Sequence, residues 1–197
     1  MKPVYSSIRL SILLFGVLLL VGLLTQSVMG QTYLGGGYTE FFNRKIIKHD
    51  AQGGAISLQR EMTLGDSRWQ LAPIFQAGLL RDYMPEDDFF LNRTVTLSVS
   101  PLVAYQLIRF KKFTFAPYVG PYVGWFTSLT GTNVGFGEQD IYLVEKDTRW
   151  LGGVEVGASF SFAFTEQLGV KLTPISAQLG NNGFRQGMLL LLAARID

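Results

Sequence analysis

The sequence contains no cysteine and a single histidine, His49. The first absence excludes a disulfide framework, a thiolate metal site, a cysteine nucleophile and a lipidated N-terminal cysteine. Charge is scarce too. Asp, Glu, Lys and Arg make up 16% of the 197 residues, against roughly 25% in an average soluble domain. Beyond residue 30 no apolar run reaches the length of about 20 residues that a membrane-spanning helix needs. What the chain has in quantity is glycine (22), phenylalanine (15) and tyrosine (8). That composition suits strands and tight turns rather than long helices, and the length allows a single domain.

One apolar run does occur, at the start. Lys2 and Arg9 form a cationic segment, and Leu10 to Leu24 are apolar or Gly apart from Ser11. Thr25-Gln26-Ser27 then leads to Val28-Met29-Gly30, with small residues at the positions that fix cleavage before Gln31. Residues 1–30 are therefore read as a cleaved signal peptide and 31–197 as the mature domain, an uncleaved anchor being the alternative. Loss of Lys2 and Arg9 lowers the 17 basic residues to 15, equal to the 15 acidic ones. No net basic character remains to argue for nucleic acid as a partner.

The mature region carries a period of two. From Trp150 the even positions are Trp150, Gly152, Val154, Val156, Ala158, Phe160, Phe162 and Phe164, and the odd ones Leu151, Gly153, Glu155, Gly157, Ser159, Ser161, Ala163 and Thr165. From Phe113 one face is Phe113, Phe115, Pro117, Val119, Pro121, Val123 and Trp125, the other Thr114, Ala116, Tyr118, Gly120, Tyr122, Gly124 and Phe126. Successive side chains on a strand point to opposite faces, so each segment has one bulky apolar face and one small or polar face. Further strands fit 32–42, 54–64, 69–80, 93–108, 167–176 and 186–196, making eight. The connections between them are Asn43–Gly53, Gly65–Arg68, Arg81–Asn92, Arg109–Lys112, Leu129–Asp147, Glu166 with its neighbours, and Ala177–Arg185. Long and short alternate, as they do in a transmembrane barrel with outer loops, periplasmic turns and periplasmic termini.

The composition of the faces selects membrane over water. An exposed soluble face carries Lys, Glu or Gln, whereas the face opposite the bulky one here is Gly, Ala, Ser, Thr and Tyr. The bulky face is therefore placed against lipid and the small, polar face in the lumen. Lipid tolerates no open sheet edge, so the sheet must close. The expected fold is all-β, an eight-stranded antiparallel up-and-down transmembrane barrel with its lumen filled by side chains. Trp69, Phe110, Phe113, Trp125 and Trp150 fall near strand ends and are read as an aromatic girdle. The adjacent Arg60 and Glu61 break the alternation unless a bulge or the interface accommodates them.

Glu155 falls on the lumen face, and Glu40, Glu61, Lys171 and Arg195 can be placed there as well, as a structural ladder of paired charges. Arg44, Lys45 and Lys48 lie in the first long connection, where cations meet the anionic lipopolysaccharide of an outer leaflet. His49 follows them and reads as a solvated loop residue. An acid–base role would need a nucleophile and an orienting group beside it, and Asp66-Ser67 belongs to a turn at the other end. No phosphate loop, catalytic triad or calcium-loop spacing occurs, so no catalytic residue, metal or cofactor is expected.

These patterns resemble the small outer-membrane barrels of the OmpX/OmpA type, and especially the outer membrane protein beta-barrel domain group that includes PorT-like proteins. The resemblance is carried by Phe115-Ala116-Pro117-Tyr118-Val119-Gly120-Pro121-Tyr122-Val123-Gly124, by Gly152-Gly153-Val154-Glu155-Val156-Gly157-Ala158, and by the turn Phe164-Thr165-Glu166-Gln167-Leu168-Gly169-Val170. It spans essentially the whole mature region. The chain departs from it at Arg195-Ile196-Asp197, where many such barrels end in an aromatic residue. The resemblance implies a non-enzymatic outer-membrane protein, structural or accessory to an envelope complex, with lipid, lipopolysaccharide and other envelope proteins as partners. A narrow pore, a lipid A-modifying enzyme and a soluble lipocalin-like binder are the alternatives.

Overall fold

The computed structural model describes residues 30–42, 51–82, 89–136, 139–165, 168–180 and 183–194. The proposed leader lies outside them, apart from Gly30, which opens the first strand.

The described chain is almost entirely strand: β1 Gly30–Phe42, β2 Ala51–Thr63, β3 Trp69–Asp82, β4 Phe89–Tyr105, β5 Ile108–Phe110, β6 Phe113–Phe136, β7 Gln139–Ala163, β8 Leu168–Gly180 and β9 Gly183–Ala194. Every pairing is antiparallel. The sheet runs β4-β3-β2-β1-β9-β8-β7-β6, and β4 pairs with β6 to complete the ring. Eight strands therefore form the barrel. The short β5 takes over from β4 along β6, with Ile108 opposite Phe115. Closure satisfies the backbone of the two strands that would otherwise present open edges.

The period of two decides what faces where. Leu34, Ile56, Phe75, Leu79, Val95, Leu97, Val119, Val123, Val154 and Leu172 point outward and are exposed. Ser57, Gln59, Gln76, Thr94, Thr96, Ser98, Ser100, Ala116 and Ser159 point inward and are buried. This is the orientation that the face composition dictated, with the apolar side out. Glycine lets the interior close where large side chains cross it. Tyr118 stands opposite Gly157 on β7, and a β-carbon on Gly157 would collide with the Tyr118 ring and with the carbonyl of Ile175.

One end of the barrel carries tight turns. In the first, Gly65 has φ 60°, a left-handed conformation that glycine adopts without steric cost. Leu64 N donates to Trp69 O at 3.0 Å, and Ser67 Oγ donates to Leu64 O at 2.6 Å. The other end departs from expectation. The loop expected over Leu129–Asp147 is mostly strand, because β6 and β7 stay paired from Phe113↔Phe162 out to Phe136↔Gln139. Likewise β8 reaches Gly180 and β9 starts at Gly183, inside the connection expected over Ala177–Arg185. The long–short alternation of connections therefore does not hold as expected, since only 137–138 and 181–182 separate these strand pairs. The physical reason is that Thr127, Thr132, Val134, Ile141, Tyr142 and Val144 favour strand. Along the described part of β7 here Val144, Glu145 and Lys146 are exposed on both phases, so the period that marks a half-buried strand fades there.

Proline sets the last irregularity. Both ladders of β8 shift register around Pro174, between Ala158 and Phe160 on the β7 side and between Thr173 and Ser176 on the β9 side. Proline offers no N–H to a ladder, and a bulge accommodates it. The bulge reverses the phase of the strand. Lys171 and Thr173 face inward before it, and Ser176 and Gln178 face inward after it.

Candidate functional site

The polar chemistry of the barrel is concentrated in the lumen, in layers. Near the turn end Lys171 Nζ donates to Glu61 Oε1 in a buried ion pair. The same ammonium sits 5.2 Å from the centre of the Tyr33 ring, and Tyr33 Oη donates to Gln31 Oε1 at 2.6 Å. An apolar layer follows, built from Tyr33, Ala72, Ile74, Leu102, Ala104, Ala116 and Tyr118. A second apolar layer of Phe41, Ala51, Leu80, Tyr122, Phe126 and Leu151 lies toward the hairpin end, with the Phe41 and Phe126 rings stacked at 5.3 Å.

Between the two layers stands Glu155, opposite Gly120 on β6 and so between Tyr118 and Tyr122. It is fully buried, at 0% exposure. Ser100 Oγ donates to Glu155 Oε2 at 2.5 Å, and Gln178 Nε2 donates to the same oxygen at 2.8 Å. Ser176 Oγ donates to Oε1 at 3.0 Å. Ser100 comes from β4 and the other two from β8, so this one carboxylate ties together strands that are not neighbours. Its partners are neutral, which differs from the expected ladder of ion pairs. Among the described residues, Glu61–Lys171 is the lumen ion pair and Glu155 is held by hydrogen bonds.

The remaining expected site residues divide three ways. Glu40 is corrected. It shares the outward phase of Leu34 and Tyr38, and Tyr38 Oη contacts Glu40 Oε1 at 2.6 Å and Gln52 Oε1 at 2.7 Å on that outer face. Unbroken alternation along β1 puts even-numbered residues outside while Tyr33, Thr39 and Phe41 are buried inside. Arg44, Lys45, Lys48, His49 and Arg195 lie outside the described residues. Of the aromatic residues, Trp69 (50% exposed) and Phe110 (66%) stand at the turn end of the outer face. Phe113 is there too, 6.0 Å from Phe160. Trp125 and Trp150 face each other across β6 and β7. They are not at strand ends, because β6 and β7 continue past them. Arg60, next to Glu61, is only part-buried, while Glu61 turns inward.

The sequence reading missed Ser100, Ser176 and Gln178 as partners of the lumen carboxylate, and Ser98 as a partner of Gln178. Ser98 and Ser100 carried a signal, since both lie on the polar face of β4. Ser176 and Gln178 did not, because a strand without the Pro174 bulge would send them outward.

No protein-family model and no curated protein matches the sequence. Solved structures do. The chain is similar to Ail, the attachment invasion locus protein of Yersinia pestis, with a TM-score of 0.54 at 10% identity, covering 85% of this chain and 97% of that one. It is similar also to the same protein in complex with the heparin analogue sucrose octasulfate, with a TM-score of 0.51 at 12% identity, covering 86% of this chain and 100% of that one. At such identities the likeness establishes a common fold, the small eight-stranded antiparallel barrel.

Proposed function

We propose that this chain is a non-enzymatic integral outer-membrane barrel of the OmpX/OmpA type, structural or accessory to an envelope complex. Its exported form is the region after the leader, residues 31–197. The observation that carries the reading is the outer face: a ring of exposed Leu, Ile, Val and Phe around a closed sheet. In water such a surface would aggregate; in a bilayer it is the required solvent-facing side. In that setting the turn end, with both ends of the described barrel chain, faces the periplasm, and the β6–β7 hairpin projects outward as an interaction surface. Arg44, Lys45 and Lys48 belong to a connection at the outward end, where they would meet lipopolysaccharide phosphates. Ail has been seen with a sulfated sugar, and a polyanion at the outer surface is a ligand class to test on this chain as well.

The lumen argues against the pore reading. Two buried apolar layers flank Glu155, and such layers oppose the passage of ions. An enzymatic reading would need reactive groups open to substrate, whereas Ser100, Ser176 and Glu155 are sealed from solvent.

The cysteine-free sequence provides the test. Lys146→Cys, on an exposed stretch of β7, is expected to react with a membrane-impermeant maleimide on intact cells. Asp66→Cys, in the opposite turn, is expected to react only after the outer membrane is permeabilised. The reverse pattern, or equal labelling of both on intact cells, contradicts the proposed orientation.

A further inference from the structure

The antiparallel register lines outward-facing residues into rows across the outer face, and the rows change character toward the hairpin end. Phe75, Val99 and Val123 form one apolar row. Two residues further out, Leu97 stands opposite Trp125 and Trp125 opposite Trp150. The next row is Leu79, Val95, Thr127 and Thr148, with the two threonine hydroxyls 2.8 Å apart. The row beyond it is cationic. The β3–β4 ladder ends at Leu80↔Thr94, which sets Arg81 and Arg93 opposite each other. Arg93 pairs with Leu129, and Leu129 with Lys146. Arg81, Arg93 and Lys146 are all exposed and share the outward phase of Leu79, Val95 and Trp150. Like charges directly opposite on neighbouring strands are destabilising. Among the described residues, however, the ion pairs are Arg149–Asp147 and Lys171–Glu61, so neither arginine is neutralised by one. Glu40 lies on the same row but two strands from Arg81, beyond Gln52, and Tyr38 Oη contacts it there.

We propose that Arg81, Arg93 and Lys146 dock the phosphates of a phosphorylated glycolipid of the outer leaflet, whose acyl chains lie along the apolar rows beneath them. This rests on the reading of the outer face as the lipid-facing one. Height supports it. Four residues separate the tryptophan pair from the cationic row, about 13 Å along a strand and about 10 Å along the normal of a tilted barrel. With the tryptophans at the interface, the cations stand at the level of the headgroups. Spacing supports it as well. Arg81 and Arg93 are neighbours able to share one phosphate, and Lys146 lies two strands beyond Arg93, about 10 Å away, in reach of a second. A phosphate between the two arginines also removes their mutual repulsion. The ligand is a lipid rather than a soluble polyanion because the cations point sideways from the barrel wall, directly above Leu79, Val95 and Trp150.

The full chain is refolded into non-ionic detergent micelles and titrated with bis-phosphorylated lipid A, with binding read from tryptophan fluorescence. The same lipid with both phosphates removed is expected to bind at least about tenfold more weakly, and millimolar inorganic phosphate is expected not to displace the intact lipid. Arg81→Gln with Arg93→Gln is expected to weaken binding about thirtyfold and Lys146→Gln about fivefold. Arg68→Gln, an exposed cation in the opposite turn, is expected to leave it unchanged. Equal binding of the two lipids, or wild-type affinity in the double variant, overturns the proposal. Displacement by inorganic phosphate overturns the assignment to a lipid. If the double variant does not fold, wild-type affinity in Lys146→Gln overturns it instead. Arg93→Glu separates docking from a structural role. It is expected to abolish binding yet raise Tm without lipid by about 1–4 °C, since it replaces repulsion across β3 and β4 by attraction. An unchanged or lower Tm overturns the proposal, because Arg93 is then neutralised within the chain, for example by Glu86, Asp87 or Asp88. A wild-type chain without a heat-dependent gel shift contradicts the barrel reading itself, and the site with it; a chain that shifts but binds both lipids alike contradicts the site alone.

Discussion

Lys171 and Glu61 illustrate what a buried charge costs and what it fixes. The two carbons-and-charge side chains come from β8 and β2, far apart in sequence, and meet where water is excluded. Removing one partner leaves the other charge unpaired, which costs about 3–5 kcal/mol in other proteins, whereas replacing both by apolar groups of similar volume is often close to neutral. Glu61→Gln is therefore expected to lower unfolding stability by about 3 kcal/mol or more, and Glu61→Leu with Lys171→Met to recover most of that loss. Equilibrium urea unfolding in detergent checks both. A double variant no better than the single one would mean that the ion pair does more than balance charge. At this scale the sequence was partly legible. Glu155 could be assigned to the lumen because it lies on the small, polar phase of its strand, and Glu61 and Lys171 could be placed there with it. Glu40 could not be assigned correctly, since its phase became certain only once β1 was seen to alternate without a bulge from Tyr33 to Phe41.

The strands themselves were legible where each face meets a different environment, as in Thr94–Tyr105 and Phe113–Phe126. They were not legible where that difference disappears. Past Trp125 and Trp150 the β6–β7 pair continues with mixed side chains, and exposed Glu145, Lys146 and Arg149 gave it the look of a loop. The Pro174 bulge was hidden for a different reason. Proline in a strand signals an irregularity, but the sequence does not say in which direction the phase then resumes, and it was the reversal that brought Ser176 and Gln178 to Glu155. The hairpin also yields a prediction. From Gly153 toward the turn end β7 is paired on both sides, but beyond it, among the described residues, β7 pairs only with β6. Replacing residues 133–142 by a two-residue Asn-Gly turn should therefore change barrel stability by no more than about 0.5 kcal/mol, as for surface changes away from the core. A loss of several kcal/mol in urea unfolding would show that the hairpin is part of the closure rather than an appendage to it.

Across the whole molecule the ordering is inverted relative to a water-soluble barrel. Polar side chains are held inside between two apolar layers, and bulky apolar ones are presented outside. This inversion was the most legible feature of the sequence, because it needs only the composition of two faces and not the location of any partner residue. Lumen contacts were less legible, since each depends on register summed over several strands. The central claim is a closed barrel whose every strand is paired and whose outer face is suited to lipid. Its most direct test is electrophoretic mobility of the protein from isolated outer membranes, in SDS with and without boiling. A closed barrel resists the detergent until heated, so the unboiled protein is expected to migrate at a distinct position and to shift to its unfolded mobility, near 22 kDa or somewhat less after leader removal, on boiling. Identical mobility in both lanes, with the protein recovered in the soluble periplasmic fraction, would contradict the account.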